Sequence, residues 1–425
     1  MCGATYDDIN DDYDVFVTRV DSEGDVLWTT IYSSIGIGDD YANYINSFAT
    51  NKFIICGNSF DPDFGDTDAF LLAIDGDGNE LWQASYDGGF AGEDGANYVI
   101  EDVGGDLLVA GYLSDDFGKY LWLFQTDQNG NFLGETVETL NGDDEASALV
   151  LTSDGGYAIC GQSYDNVNGD YDGILVKFDA FGNTEWTYFS TGAYDERFND
   201  IIIDEYGDYL LVGAEQDEFN GDYDLLVENV GADGVTIYYS VIHDYLAGDD
   251  EAYRTYYNGA DYFLCGSVED IISDDYDAYL GVFDIETGEI SGDVIYGDVN
   301  HDEFFDFDFT SDGGYVCVGY QEASMVDTDV YLVKTDENGN QGEITSIESG
   351  QSIPNVRIYP NPAENIVFIS TEGFHDCTIF NIDGKLIQKD RILNSQIDVS
   401  ALKPGSYIFE LTGDKTTHRE IILIN

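Results

Sequence analysis

One segment recurs seven times in this chain at an almost fixed interval, and that recurrence limits the fold more than any other feature. The copies are YDVFVTRVDSEGDVLW from Tyr13, TDAFLLAIDGDGNELW from Thr67, KYLWLFQTDQNGNFLG from Lys119, YDGILVKFDAFGNTEW from Tyr171, YDLLVENVGADGVTIY from Tyr223, YDAYLGVFDIETGEIS from Tyr276 and TDVYLVKTDENGNQGE from Thr328. Successive copies start 54, 52, 52, 52, 53 and 52 residues apart. Each reads as a strand, a turn of the form Asp-x-x-Gly-Asn and a second strand, with Trp28, Trp82 and Trp186 at one shared place. Between the copies lies a second hairpin, clearest at 143–161 and 301–319, where Asp-Gly-Gly separates two apolar runs. Four short antiparallel strands per period of about fifty residues is the pattern of a propeller blade; a β-helix repeats over a shorter period.

The sequence therefore predicts an all-β chain whose residues 1–343 form a seven-bladed β-propeller. The second hairpin of the blade occurs seven times and the first only six. Met1–Gly3 align with the end of the Ile-Cys-Gly strand of other blades, so the first blade is expected to be N-terminally truncated. It would lack its innermost strand and most of the next. The opening residues also lack the charged and apolar regions of a signal peptide, so Met1 reads as an internal position of a longer precursor.

Composition agrees with short strands and tight turns: 32 Tyr, 25 Phe and 48 Gly against 5 Pro. With 43% apolar residues the chain can bury a core despite its charge, and no apolar run is long enough for a membrane-spanning helix. The formal net charge is −72, from 86 acidic and 14 basic residues. Only 10 of those acids lie beyond residue 345, together with 7 of the bases, so the repeat region carries nearly all the excess. Such a surface repels nucleic-acid phosphates and anionic membranes, attracts cations, and favours solubility.

The six cysteines resemble a disulfide set only by number. Cys2, Cys56, Cys160 and Cys265 each precede a Gly, and Cys317 sits one residue earlier in its blade, so they share nearly one slot. Ala110 and Val212 fill that slot in two other blades. Small apolar thiols buried in strands are therefore expected, not disulfides.

In a propeller, the loops joining second to third strands share a face with the loops between blades. Both sets are acidic here: 61–68, 165–172, 217–224 and 269–277 in the first, and 38–42, 141–146, 247–252 and 300–304 in the second. Clustered flexible carboxylates are what calcium prefers. The candidate calcium ligands are Asp143, Asp144, Glu145, Asp170 and Asp172, with the equivalents Asp222, Asp224, Asp249, Asp250 and Glu251. The competing reading is that these side chains close their own turns on backbone N–H groups, without metal. No cofactor is required by the sequence, and calcium is the one cation it suggests. The DGDGNE stretch at Asp75 resembles the start of an EF-hand loop, but its aligned relatives lose the pattern, so it reads as a hairpin turn.

After Gln341 the repeat stops; 344–353 reads as a linker, and 354–425 as a separate domain with balanced charge. That domain opens IYPNPAENIVFIS, with Tyr359, Pro360, Asn361 and Pro362, continues with CTIFNIDGKLI, with Gly384 and Lys385, and closes with DVSALKPGSYIFEL, with Leu402, Gly405 and Tyr407. These three ordered motifs resemble the type A C-terminal sorting domains read by the type IX secretion system of Bacteroidetes. The resemblance implies a small immunoglobulin-like β-sandwich and recognition by the type IX machinery. It also implies inner-membrane export on an N-terminal signal, and a final place outside the cell or on its outer surface, with the tail usually removed. One departure is the end, THREIILIN, where a basic cluster is common and only Arg419 is present.

Chemistry-bearing motifs are scarce. There are four histidines, His243, His301, His375 and His418, and no nucleophile elbow, zinc signature or phosphate loop. Acidic pairs suited to glycoside hydrolysis occur throughout and single out no site. The leading expectation is a non-catalytic binding or adhesion propeller that meets a glycan, a protein or a mineral surface outside the cell. The alternatives are a secreted polysaccharide hydrolase or lyase and a calcium-bridged structural surface protein.

Overall fold

The computed structural model describes residues 1–7, 10–22, 24–32, 38–62, 64–89, 92–190, 192, 194–218, 221–241, 248–270, 275–284, 290–297, 300–324, 327–336 and 339, and in the C-terminal part 358, 359, 363, 366–369, 374–381, 385–392, 396–403, 405–413 and 417–424. Every regular element among them is a strand. Packing divides the chain into two units, Met1–Ile347 and Glu348–Asn425.

The first unit is a seven-bladed β-propeller. Blade 2 shows the pattern: Asp40–Phe48, Lys52–Asp61, Asp66–Asp75 and Glu80–Tyr86 pair in that order as an antiparallel meander. Blades 3 to 6 repeat it, with first strands Gly95–Glu101, Glu145–Leu151, Glu196–Ile203 and Asp250–Tyr257. Blade 1 contains Cys2–Asp7, Asp12–Val20 and Val26–Tyr32, and blade 7 contains Asp302–Phe309, Tyr315–Ser324 and Asp327–Lys334. The strand Cys2–Asp7 is a second strand: Cys2 faces Val17 as Cys56 faces Leu71 in blade 2.

Why these residues make blades follows from where each strand is covered. The third strand lies between neighbouring blades, so both of its faces are buried, and Ala69 to Ile74 are buried without a break. Such a strand reads as a continuous apolar run and not as an alternation. Cores form across blade junctions: Leu121 and Leu123 of blade 3 pack with Ala146, Leu149 and Ile174 of blade 4.

The first strand is bulged at one equivalent place in six blades, between Ala42 and Tyr44, Ala96 and Tyr98, Ala146 and Ala148, Phe198 and Asp200, Ala252 and Arg254, and Phe304 and Asp306. The bulge pushes a carbonyl towards the second strand, which explains the Gly after each cysteine slot. A Cβ on Gly161 would stand 1.9 Å from the Glu145 carbonyl oxygen, so no side chain fits. The slot itself is apolar, and Cys56, Cys160, Cys265 and Cys317 are buried free thiols, as are Ala110 and Val212 buried in theirs. None of the six cysteines forms a disulfide.

The Asp-x-x-Gly-Asn segment is a hairpin turn, as expected for DGDGNE. Asp75 Oδ1 accepts the N–H of Asp77 and of Asn79, both at 2.9 Å, and Asp127 and Asp179 repeat the arrangement.

The second unit holds two antiparallel sheets. Ile358–Tyr359, Ile366–Ile369 and Gln396–Asp398 form one; Leu386–Arg391, Phe374–Asn381, Gly405–Gly413 and Thr417–Ile424 form the other. Val367, Ile369 and Ile397 share one core with Cys377, Ile379, Phe409 and Leu411.

Candidate functional site

The acidic face is built from the contacts that hold one blade to the next. In four between-blade loops the first acid accepts the N–H at the start of the preceding blade's third strand. Asp39 takes Tyr13 N–H at 3.0 Å, Asp143 takes Lys119 N–H at 3.1 Å, Asp195 takes Tyr171 N–H at 2.9 Å and Asp249 takes Tyr223 N–H at 2.8 Å. In the last junction His301 Nδ1 replaces the carboxylate and accepts Tyr276 N–H at 3.1 Å. A histidine that sequence alone left without a role is thus a member of the repeat.

The next acid is buried. Asp144 Oδ2 accepts Leu140 N–H at 2.7 Å and its Oδ1 accepts the Ser163 hydroxyl at 2.5 Å; Asp250 Oδ1 accepts Glu269 N–H at 3.1 Å. The third acid pairs with cations: Glu145 with Lys119 at 2.9 Å, and Glu251 with Arg197 through two bonds of 2.6 Å. So Asp143, Asp144, Glu145, Asp249, Asp250 and Glu251, all predicted calcium ligands, have protein partners that fix their orientation. The other four, Asp170, Asp172, Asp222 and Asp224, lie at the Asp-x-Asp start of third strands. Asp170 Oδ1 is buried without a donor among the described residues. Burial, with Asp170 and Asp165 nearby, pushes the Asp172 carboxyl up.

Among the described residues, three carboxylates gather at each of two places that the sequence reading did not single out. The groups are Asp7, Asp12 and Asp14 in blade 1, and Asp68, Asp87 and Asp94 at the junction of blades 2 and 3. Within each, the facing carboxylate oxygens all lie within 4.8 Å of one another. Burial and then the neighbouring acids push Asp14 and Asp68 up to about 6. Glu196, the equivalent of Asp94 in blade 5, is pushed up to about 8, first by burial.

Above this acidic base the second-to-third-strand loops lift apolar tips into solvent. Phe64 is 76% exposed, Phe117 89% and Val167 90%, in blades 2, 3 and 4. Two of the tips are held by the Asp at the start of their own loop: Phe117 N–H donates to Asp115 Oδ1 and Val167 N–H to Asp165 Oδ1, each at 2.7 Å. Sequence reading saw these loops as acidic and missed the apolar residue each carries; the signal was one apolar residue before the loop glycine in each.

The residue after the inner-strand bulge points towards the ring axis. Arg254 of blade 6 reaches Asp200 of blade 5 at 3.6 Å and Asp306 of blade 7 at 4.0 Å. Its guanidinium also lies 4.9 Å from the Tyr44 ring centre and 5.2 Å from that of Tyr98, in blades 2 and 3. Those two rings stack on each other with centroids 4.1 Å apart. Burial would lower the Arg254 value; Asp200, Tyr98 and Asp306 outweigh it and hold the guanidinium charged. Asp200 is itself pushed up to about 6 by burial, against the pull of Arg254. Nothing in the repeat spacing pointed to this group, because it forms from one divergent position per blade.

In the tail, Pro360, Asn361, Pro362 and Gly384 lie outside the described residues, as does the linker 344–353. Tyr359 pairs with Phe368, Gly405 opens a strand, and Lys385 is exposed. Leu402 and Tyr407 pack against the tail core, and the Tyr407 hydroxyl donates to Lys403 O at 2.9 Å. The Leu-x-x-Gly-x-Tyr element therefore contributes to the tail's own packing.

Residues 357–425 match the secretion system C-terminal sorting domain. Over 63 residues the chain is 33% identical to beta-agarase D of Zobellia galactanivorans, which is 15% of this chain and 13% of that protein. The chain thus spans about an eighth of the length of that relative. Among solved structures, it is similar to a protein of unknown function from Bacteroides caccae, with TM-score 0.45, 12% identity, and coverage of 69% of this chain and 92% of the other. It is also similar to PorZ, a surface component of the type IX secretion system of Porphyromonas gingivalis, with TM-score 0.41, 12% identity, and coverage of 97% and 63%. For the β-propeller domain of the trilobed protease of Pyrococcus furiosus the TM-score is 0.44, with 10% identity and coverage of 89% and 95%.

Proposed function

We propose that this β-propeller, exported by its type IX sorting domain to the cell surface or the medium, is a non-catalytic binding module with several equivalent contact points on its acidic face. The observation that carries the reading is the set of exposed tips Phe64, Phe117 and Val167 in the second-to-third-strand loops of consecutive blades. Exposed aromatic groups held on rigid turns bind at low entropic cost, since little motion is lost on contact. Their repetition suits a repetitive partner, because linked weak contacts add through effective concentration. An extracellular glycan is the first class to test: the C–H faces of sugars stack on aromatic rings, and the surrounding carboxylates accept hydroxyl hydrogen bonds. A repetitive surface protein is the second.

The test is a glycan-array and cell-surface binding screen with the full chain, beside the variant Phe64→Ser, Phe117→Ser. Binding that the double variant loses while its thermal midpoint is unchanged supports the reading. Binding that survives the double substitution places recognition elsewhere and overturns it.

A further inference from the structure

We propose that Asp68, Asp87 and Asp94 form a calcium site at the junction of blades 2 and 3, and that Asp7, Asp12 and Asp14 form its counterpart in blade 1. This is independent of what the loop tips bind. The clustering of acids is the weaker half of the argument, since carboxylates abound on this face. The stronger half is two buried carboxylates without donors. Asp68 is 8% exposed and Asp14 6%, and among the described residues neither has a hydrogen-bond or ion-pair partner. Other buried carboxylates in the same loops are supplied: Asp94 takes the N–H of Gly88 at 2.7 Å and of Ser114 at 2.9 Å. A carboxylate removed from water without a donor or a counter-charge is strongly disfavoured. The charged groups that act on Asp14 and Asp68 among the described residues are carboxylates: Asp12, Asp7 and Asp40 beside the first, and Asp87, Asp61, Asp66 and Asp94 beside the second.

Register adds to this. Asp14 and Asp68 stand at one position of the repeat in adjacent blades, two residues into the third strand. Beside them, Asp12 Oδ2 takes Gly38 N–H at 3.0 Å, while Asp12 Oδ1 is buried without a donor. Asp66 Oδ1, at the equivalent place in blade 2, is buried the same way. Two neighbouring blades therefore repeat one arrangement: an Asp-x-Asp pair whose first Asp keeps a buried Oδ1 without a donor among the described residues.

The donor set selects the cation. It is all oxygen, with no thiolate or imidazole in either group, which suits a hard cation and not zinc or copper. Calcium bonds of about 2.3–2.6 Å place opposed ligands roughly 5 Å apart, compatible with oxygens grouped within 4.8 Å. Water and loop carbonyls can complete a calcium shell of six to eight oxygens, whereas magnesium demands a tighter octahedron. The raised values of Asp14 and Asp68 agree, because a carboxyl poised between acids gains from a divalent charge. A bound ion would tie Asp68, on the third strand of blade 2, to Asp94, just before the first strand of blade 3.

The test uses the full chain, stripped with chelator and returned to KCl buffer of fixed ionic strength. Calcium is titrated by calorimetry, and the thermal midpoint is followed in parallel. Calcium should bind with saturable heat and raise the midpoint above that in KCl of matched ionic strength. Asp68→Asn and Asp14→Asn should each remove one site from the stoichiometry, and the double variant both. Without calcium each Asn variant should melt at or above the parent, because a repelling charge is gone; that shows the variants fold. Asp143→Asn, an exposed acid outside both groups, should leave the stoichiometry unchanged. Wild-type stoichiometry in the double variant, or a parent that responds to calcium no differently from matched KCl, overturns the proposal.

Discussion

The indole of Trp82, on the outer strand of blade 2, lies across Gly130 in the turn of blade 3, and its Nε1 donates to Gln128 O at 2.9 Å. Trp28 stands in the same way over Gly78, and Trp186 over Gly234. Tyr86 adds a bond from its hydroxyl to Gly130 O at 2.8 Å, as Tyr32 does to Gly78 O at 2.7 Å. The turn glycines Gly78, Gly130 and Gly234 are therefore constrained twice, by their left-handed backbone and by the neighbouring blade. Blade 1 docks on blade 2, and blade 2 on blade 3, through one device on the face opposite the acidic loops.

Gly130→Ala should be costly for that reason. Gly130 has φ +78°, and an added Cβ would stand 2.8 Å from the Trp82 ring. The left-handed backbone and the overlap together should remove about 1–3 kcal/mol, read as a lower denaturation midpoint. Adding Trp82→Ala should cost less in the Gly130→Ala background than in the parent, since the two changes disturb one contact.

Arg254→Met should destabilise the ring by roughly 3–5 kcal/mol, because it leaves Asp200 buried beside Asp306 without a cation. The loss should shrink as pH is lowered, since Asp200, already pushed up to about 6, then takes a proton. Adding Asp200→Ser should restore much of the stability. An equal loss at every pH would show that Arg254 acts through packing alone.

Stability in chelator should fall as pH rises from about 5 to about 8. Burial, before any other cause, holds Glu196 up to about 8 and Glu228 up to about 7. Both lie above the ordinary glutamate value, so the folded state keeps protons that the unfolded chain has released. The stabilisation is complete below the unfolded value and is lost as pH passes the folded one. Thermal midpoints measured across that range check the sign; Glu196→Gln should flatten the slope.

Cys160→Val should cost less than about 1.5 kcal/mol, because the slot takes Val212 in blade 5 and Ala110 in blade 3. Midpoints should also be insensitive to reductant, since no disulfide is present.

Removing residues 354–425 should leave the propeller inside the cell that makes it, with its thermal transition retained once purified. Fractionation of cells and medium reads the first result. Release of the shortened chain to the medium would show that export does not depend on the sorting domain matched at 357–425.

The propeller was legible because its information is local and repeated seven times. Alternating turn residues and apolar runs fix hairpins, and a fixed period allows one way of packing them. The cysteine slot was legible for the same reason, as Ala110 and Val212 stand in it. The tail was legible from three short motifs in order. The sequence also placed the acidic loops on one face. It left open what each acid does there: Asp143 caps a strand, Asp144 closes a loop, Glu145 pairs with Lys119, and Asp68 has no donor. These outcomes differ because each depends on which group of the next blade comes within reach, about fifty residues away in the chain. The Arg254 group was invisible from spacing, since Tyr44, Tyr98, Asp200 and Asp306 meet it only when the ring brings five blades to one axis. Periodicity determined the blades by itself; closure of the ring, which sets charge beside charge across the axis and across each junction, was decided by the tertiary structure alone.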